Sequence, residues 1–231
     1  MAVEERRVGG LAESAGQRTR SWLWGSPVTA AYIALLLSTH LLVDHILSRS
    51  EADRALLYVS TNLDNLQHHP VQSLIGSALV VDGTLTRVTT LAFVGTLITF
   101  VGGVCVVLSM LERRWGALRA FTVFALGHVG ATLIAALVII VALKQGWYPS
   151  SVRSTYDYGI SYGAQAVLAC ATVVLVPRRY RAVSAVFVVA WPFGGMTWMS
   201  VLPDFTTLGH LFAALIGFLF GALVVERGTS R

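Results

Sequence analysis

Apolar residues in this chain gather into six stretches of about twenty, separated by shorter segments that carry nearly all the charge. The stretches cover residues 27–47, 85–111, 118–143, 159–176, 182–202 and 206–225, and none holds a run of charges. About twenty residues at 1.5 Å of helical rise cross roughly 30 Å of hydrocarbon. The pattern therefore predicts an all-α membrane protein, a bundle of six transmembrane helices over residues 27–225. Residues 1–26 read as a polar N-terminal tail without the apolar core of a signal peptide, and residues 226–231 as a short C-terminal tail. The connection 48–84 is long and mixes Leu56, Leu57, Tyr58, Val71, Leu74 and Ile75 with polar residues. That mixture predicts an ordered external loop of short amphipathic helices at the outer surface.

Composition agrees: of 231 residues, 55% are hydrophobic and 13% charged, about half the charged fraction of a soluble domain. The net charge of +5 does not point to nucleic acid, because the basic residues form no continuous face. They mark alternate connections instead. Arg6, Arg7, Arg18 and Arg20 precede the first stretch; Arg113, Arg114 and Arg119 follow the second; Arg178, Arg179 and Arg181 follow the fourth; Arg227 and Arg231 follow the sixth. Positive charge is retained in the cytoplasm, so both termini are expected inside, in a bacterial cytoplasmic membrane. Cys105 and Cys170 lie within apolar stretches without metal-ligand spacing and imply neither zinc nor a disulfide framework.

Polar side chains inside membrane spans are costly and become candidates for function. Here they are His40, Asp44 and His45 in the first stretch, His128 in the third, Ser161 and Gln165 in the fourth, and His210 in the sixth. Ser161 sits in Gly159-Ile160-Ser161-Tyr162-Gly163, formally a G-x-S-x-G, but the preceding strand that a soluble hydrolase needs is missing. A serine flanked by glycines also marks close helix packing. Depth favours chemistry: Ser161 lies about 6 Å below the outer end marked by Asp157, and His210 about 9 Å below Asp204, on helices running the same way. An imidazole there can take the serine proton and return it to a leaving amine, the minimum for nucleophilic acyl transfer. Free N–H groups at the helix start can stabilise an oxyanion, with Asp157 as the expected helix cap. Gly209, Ala213, Gly217 and Gly221 recur every fourth residue, a small-residue ridge that would hold the histidine helix close.

With these residues in view, the chain resembles the rhomboid family of six-helix intramembrane serine proteases. Gly159 and Ser161 resemble the family's G-x-S nucleophile motif; His210 with Ala213, Gly217 and Gly221 is similar to its sixth-helix histidine and small-residue ladder; Leu111-Glu112-Arg113-Arg114-Trp115-Gly116 resembles the acidic-glycine element after its second helix. The resemblance implies Ser161 as nucleophile and His210 as general base and acid, with Gly159, Tyr162, Gly163, Ala213, Gly217 and Gly221 in oxyanion or packing support. It implies no cofactor and no metal, and as partners the lipid bilayer with transmembrane protein substrates or clients. Active members usually carry a histidine and an asparagine near the start of the second helix, a glycine after the serine, and an aromatic residue four places beyond it. Here residues 80–90 offer neither of the first pair, Tyr162 follows the serine, and Gln165 stands at the fourth place. A pseudoprotease that binds and escorts or retains membrane proteins is the alternative.

A third reading, a transporter or haem-binding protein, would use His40, His45 and His128, although a helix-end interaction explains the i, i+4 pair more simply. Trp147, Trp191, Phe193 and Trp198 read as interfacial aromatic belts, and in a rhomboid-like fold those on the fifth helix would also line a lateral substrate gate. The arginine pattern makes a direct prediction. Green fluorescent protein fused after Arg231 should fluoresce in cells and alkaline phosphatase at the same place should be inactive; the reverse pair of results would invert the topology.

Overall fold

The computed structural model describes residues 21–229 apart from 23, 82 and 86, with side chains described to Val225. The expected tails therefore lie largely outside the described residues, as do Arg6, Arg7, Arg18, Arg20, Asp82 and Arg231. In the last part of the expected N-terminal tail, Ser21 and Trp22 are helical, and the half-buried Trp22 donates its indole N–H to Ser109 Oγ at 3.2 Å.

The described residues form an all-helical fold with no strand. Helix α1 (Pro27–Leu41) continues as a π-helical turn to Ile46. Three short helices follow in the connection expected to be external, α2 (Arg49–Val59), α3 (Leu63–His68) and α4 (Pro70–Ser77). Helix α5 spans Leu91–Trp115 and is π-helical over Leu97–Leu108; α6 is Ala117–Lys144, α7 Ser161–Val174, α8 Arg178–Ala190 and α9 Phe205–Thr229. Start signals in the sequence account for most boundaries. Pro27 and Pro70 occupy first-turn positions, where a missing N–H costs nothing. Ser48 and Glu51 form a capping box on α2, Asn62 caps α3 through Asn65 N, and Thr90 caps α5 through Phe93 N. Gly116, at φ +83°, separates α5 from α6.

Four helices are long and apolar enough to cross a bilayer: Pro27–Ile46, Leu91–Trp115, Ala117–Lys144 and Phe205–Val225. The other two expected spans differ. The one expected over 159–176 is α7, only 14 residues long, about 21 Å at the helical rise. Ten of its residues are buried, so it is wrapped by neighbours and not by lipid. The one expected over 182–202 begins earlier and stops at Ala190, giving way to a 3-10 turn at Trp191–Gly195. Pro192 has no N–H and disfavours helix in the residue before it, and Gly194 and Gly195 add freedom that a helix would lose.

The outer faces carry exposed large apolar side chains, among them Val94, Leu97 and Val101 on α5, Leu126, Leu133 and Leu137 on α6, and Leu215, Leu219 and Leu223 on α9. The inside combines large apolar side chains such as Leu36, Leu108, Leu111 and Phe124 with small and polar residues at the helix contacts. Helix α7 is the hub. A Cβ on Gly209 would overlap the Tyr162 ring, one on Gly217 the carbonyl of Ala166, and one on Gly221 would press on Cys170 and Val173. This ascending register shows that α7 and α9 run parallel. Gly103 of α5 and Gly127 of α6 meet Ala164 and Ala166 of α7 in the same way.

The tightest of these contacts is backbone against backbone and has no flexible side chain to yield. Gly217→Ala should destabilise the protein by about 1–3 kcal/mol. Gly95→Ala, with nothing within 4 Å of the added Cβ, should be neutral or stabilising by up to about 1 kcal/mol. Equal thermal melting shifts for the two variants in detergent would contradict the packing described.

Candidate active site

Ser161 is the first residue of α7 and is half-buried. The turn that delivers it runs through Gly159, whose φ of +120° is a conformation that other residues seldom adopt. Asp157 does not cap the helix as expected: the N-cap position belongs to Ile160, and no side chain closes the first turn. Asp157 is instead tied through its backbone, its carbonyl accepting from Thr61 N at 2.6 Å and Thr61 Oγ1 at 2.8 Å. The first-turn N–H groups of Ser161 and Gly163 donate to no described acceptor, which leaves donors at the positive end of the helix.

His210 stands in the second turn of α9, whose start is fixed by Asp204. The Asp204 carboxylate accepts from Thr207 N at 2.9 Å, Thr207 Oγ1 at 3.0 Å, Thr197 N at 2.8 Å and the Thr206 hydroxyl. Burial pushes this carboxyl up, and the four hydrogen bonds outweigh it and hold it below the usual carboxylate range. His210 Nδ1 lies 2.7 Å from Thr206 O. A carbonyl only accepts, so in the neutral ring Nδ1 carries the proton and Nε2 the lone pair. Nε2 is shielded from solvent and has no hydrogen-bond partner among the described residues.

Ser161 and His210 line two shared cavities. One of ≈ 540 Å³ is walled by Gly83, Ala92, Gly95, Thr99, Ile160 and Trp191; the other, of ≈ 490 Å³, by Tyr156, Asp157, Tyr158, Tyr162 and Thr206. No hydrogen bond joins the two side chains in this state. A third, largely apolar cavity of ≈ 1020 Å³ opens between α5 and the end of α8 and also reaches His210.

Two aromatic rings set the histidine edge-on, Tyr162 with centroids 5.0 Å away and Trp191 at 5.2 Å. Trp191 thus packs against His210, where the sequence suggested an interfacial belt or, on the family resemblance, a lateral gate. Gln165 explains its position: fully buried, it donates from Nε2 to Val188 O at 2.6 Å and accepts the Trp191 indole N–H at 2.7 Å. A lone amide in an apolar helix was the signal for Gln165; nothing local revealed that its partner was a ring 26 residues on.

The remaining candidates go elsewhere. Gly163 packs against the Phe124 ring, and Ala213, Gly217 and Gly221 serve the α7–α9 contact. His40 pairs with Asp44 at 3.5 Å and lies edge-on to His45, with ring centroids 6.4 Å apart, whereas His128 bonds Ser77 and Leu74. No group of three or more His, Cys, Asp or Glu converges among the described residues. On the α5 side of the Ser161 cavity the Thr99 hydroxyl donates to Gly95 O at 2.9 Å, and no histidine or asparagine stands there.

A family model described as rhomboid-like protein matches residues 21–230. No curated protein and no solved structure matches the chain.

The Asp204 cap yields a pH-dependent test. A carboxyl with a depressed folded pKa stabilises fully above its unfolded value, about 3.9, and loses that contribution as pH falls through the lower folded value. Asp204→Ala should cost about 1–2 kcal/mol at pH 7, as the loss of a helix cap does. The gap to wild type should narrow below about pH 4; a gap constant from pH 7 to pH 3 in melting experiments would refute the assignment.

Proposed function

Because the chain belongs to the rhomboid-like family, we propose that it is an intramembrane serine protease that cuts membrane-embedded protein segments near the outer leaflet. Ser161 is the nucleophile and His210 its base and acid. The observation that carries this reading is the uncommitted Nε2 lone pair of His210, on a residue that lines the same two cavities as Ser161.

In the proposed reaction, Nε2 takes the Ser161 proton as Oγ bonds to the substrate carbonyl carbon. The carbonyl oxygen becomes an oxyanion and is met by the first-turn N–H groups of α7 and the positive end of that helix. The imidazolium, held by Thr206 O through Nδ1–H, returns its proton to the leaving amine as the C–N bond breaks. Water then attacks the acyl-serine with Nε2 again as base, releasing the carboxyl product and restoring the hydroxyl. His210 is positioned throughout by the Tyr162 and Trp191 rings.

One observation supports the alternative, a pseudoprotease that holds membrane proteins without cutting them. The cavity wall of Gly83, Ala92, Gly95 and Thr99 supplies no side-chain donor to an oxyanion beyond Thr99, whose proton is already given to Gly95. Losing one such donor costs roughly 10²–10³ in rate in other serine enzymes.

A fluorophosphonate probe decides between the two. Wild type in native membranes should label, Ser161→Ala should not, and His210→Ala should label about 10²–10⁴-fold more slowly. Labelling of wild type no faster than Ser161→Ala would remove the protease reading, and client helices crosslinked equally to both would then support the binding role.

A further inference from the structure

His128 is buried in the middle of α6, its ring stacked on Phe124 at 6.4 Å. Its Nε2 lies 3.0 Å from Leu74 O and 3.1 Å from Ser77 Oγ, both in the last turn of α4. Because a carbonyl cannot donate, Nε2 carries the ring proton and gives it to α4. Ser77 then uses its own carbonyl to accept the Gly159 N–H at 3.0 Å. Two residues beyond Gly159, Ser161 begins α7.

The external connection therefore grips the turn ahead of Ser161 at two points. Thr61 and Ser60 hold Asp157, with Asp157 N donating to Ser60 Oγ at 2.9 Å, and Ser77 holds Gly159. Of these, the Ser77 grip is tied back to a membrane-spanning helix by His128. Helix α4 has eight residues, too few to be stable alone, and its Val71 and Ile75 face outward. Its position depends on what anchors its buried side, and in a low-dielectric interior a hydrogen bond from a ring to a carbonyl is strong and directional.

We propose that His128 is a positioning residue for the turn that delivers Ser161, acting through Ser77 and Gly159. The inference rests on Ser161 as the nucleophile only for its effect on reactivity; the holding of the turn stands apart from that reading. It also gives the external loop a mechanical role, since the carbonyl that fixes Gly159 belongs to α4.

The test uses the full chain in nanodiscs, with hydrogen exchange followed in peptides covering residues 155–163 and, as reference, in α9. In His128→Leu, exchange over 155–163 should quicken about tenfold while α9 is unchanged; in His128→Gln, whose amide can still donate to Leu74 O, it should stay near wild type. Ser77→Ala, which keeps the carbonyl that holds Gly159, should fall between them and serves if His128→Leu does not fold. Fluorophosphonate labelling of Ser161 should slow about fivefold to tenfold in His128→Leu and recover in His128→Gln. Unchanged exchange over 155–163, or equal acceleration in α9, would overturn the proposal. Faster exchange over 155–163 in a protein whose wild type labels no better than Ser161→Ala would support the turn-holding role and refute the dyad.

Discussion

The structure depends on the closeness with which α9 lies against α7. At Gly217 the two backbones meet with no side chain between them, and any residue larger than glycine would drive into the Ala166 carbonyl. Within a bilayer, apolar side chains gain little by leaving lipid for protein, so helices associate through packing and hydrogen bonds. A ladder of small residues provides that packing. It also fixes register: with Gly209 on the Tyr162 ring and Gly217 on Ala166, Ser161 and His210 have no choice but to share a level. Helix α7, with 14 residues, is too short to present a full lipid-facing span and is viable because α5, α6 and α9 enclose it.

Several polar residues of the interior follow a second rule: they tie down the end of a helix. The Glu112 carboxylate accepts from Val28 N at 3.0 Å and Thr29 N at 2.7 Å, capping α1 from 83 residues away. His128 holds the end of α4, Gln165 the end of α8, and Asp204 the start of α9. Unpaired backbone groups at these ends would each cost several kcal/mol in hydrocarbon. Against this background His210 Nε2 stands out. Its side chain lines both cavities shared with Ser161, and the atom has no hydrogen-bond partner among the described residues.

What the sequence made legible follows from this division. Hydropathy and small-residue spacing are local signals, and they located the long helices, the α9 ridge and the common depth of Ser161 and His210. Tertiary pairing is not local. Glu112 was visible only as part of a short acidic-glycine element, because its partners are backbone N–H groups at the far end of another helix. Trp191 read as an interfacial aromatic or, on the family resemblance, a gate residue, because its link to Gln165 exists only once α8 stops at Ala190 and gives way to the turn at Trp191–Gly195. Asp157 had the right residue type for a helix cap, yet it stands three residues ahead of the N-cap position, Ile160, where its backbone is tied to Ser60 and Thr61. The helix expected over 182–202 ends at Ala190 for a reason that was present in the sequence: Pro192, Gly194 and Gly195 outweigh the apolar content beyond it.

His210 occupies a junction, and on the proposed reading the junction is what makes hydrolysis feasible inside a membrane. One cavity that it lines is bounded by Leu91, Val94, Ile98 and Phe187 and suits an apolar segment arriving from the side. Another is bounded by Tyr156, Asp157, Tyr158 and Thr206, groups that water can wet. Proteolysis needs both occupants at one serine, and a site wholly within either environment would exclude one of them. A membrane segment must also unwind before its carbonyl can be attacked, which exposes backbone groups that lipid cannot satisfy. On the proposed reading, the polar wall and the first-turn N–H groups of Ser161 and Gly163, which donate to no described acceptor, are placed where that cost would fall. On that same reading, the position of Ser161 at the start of α7 and not at its middle is a compromise between reach into the bilayer and access to water.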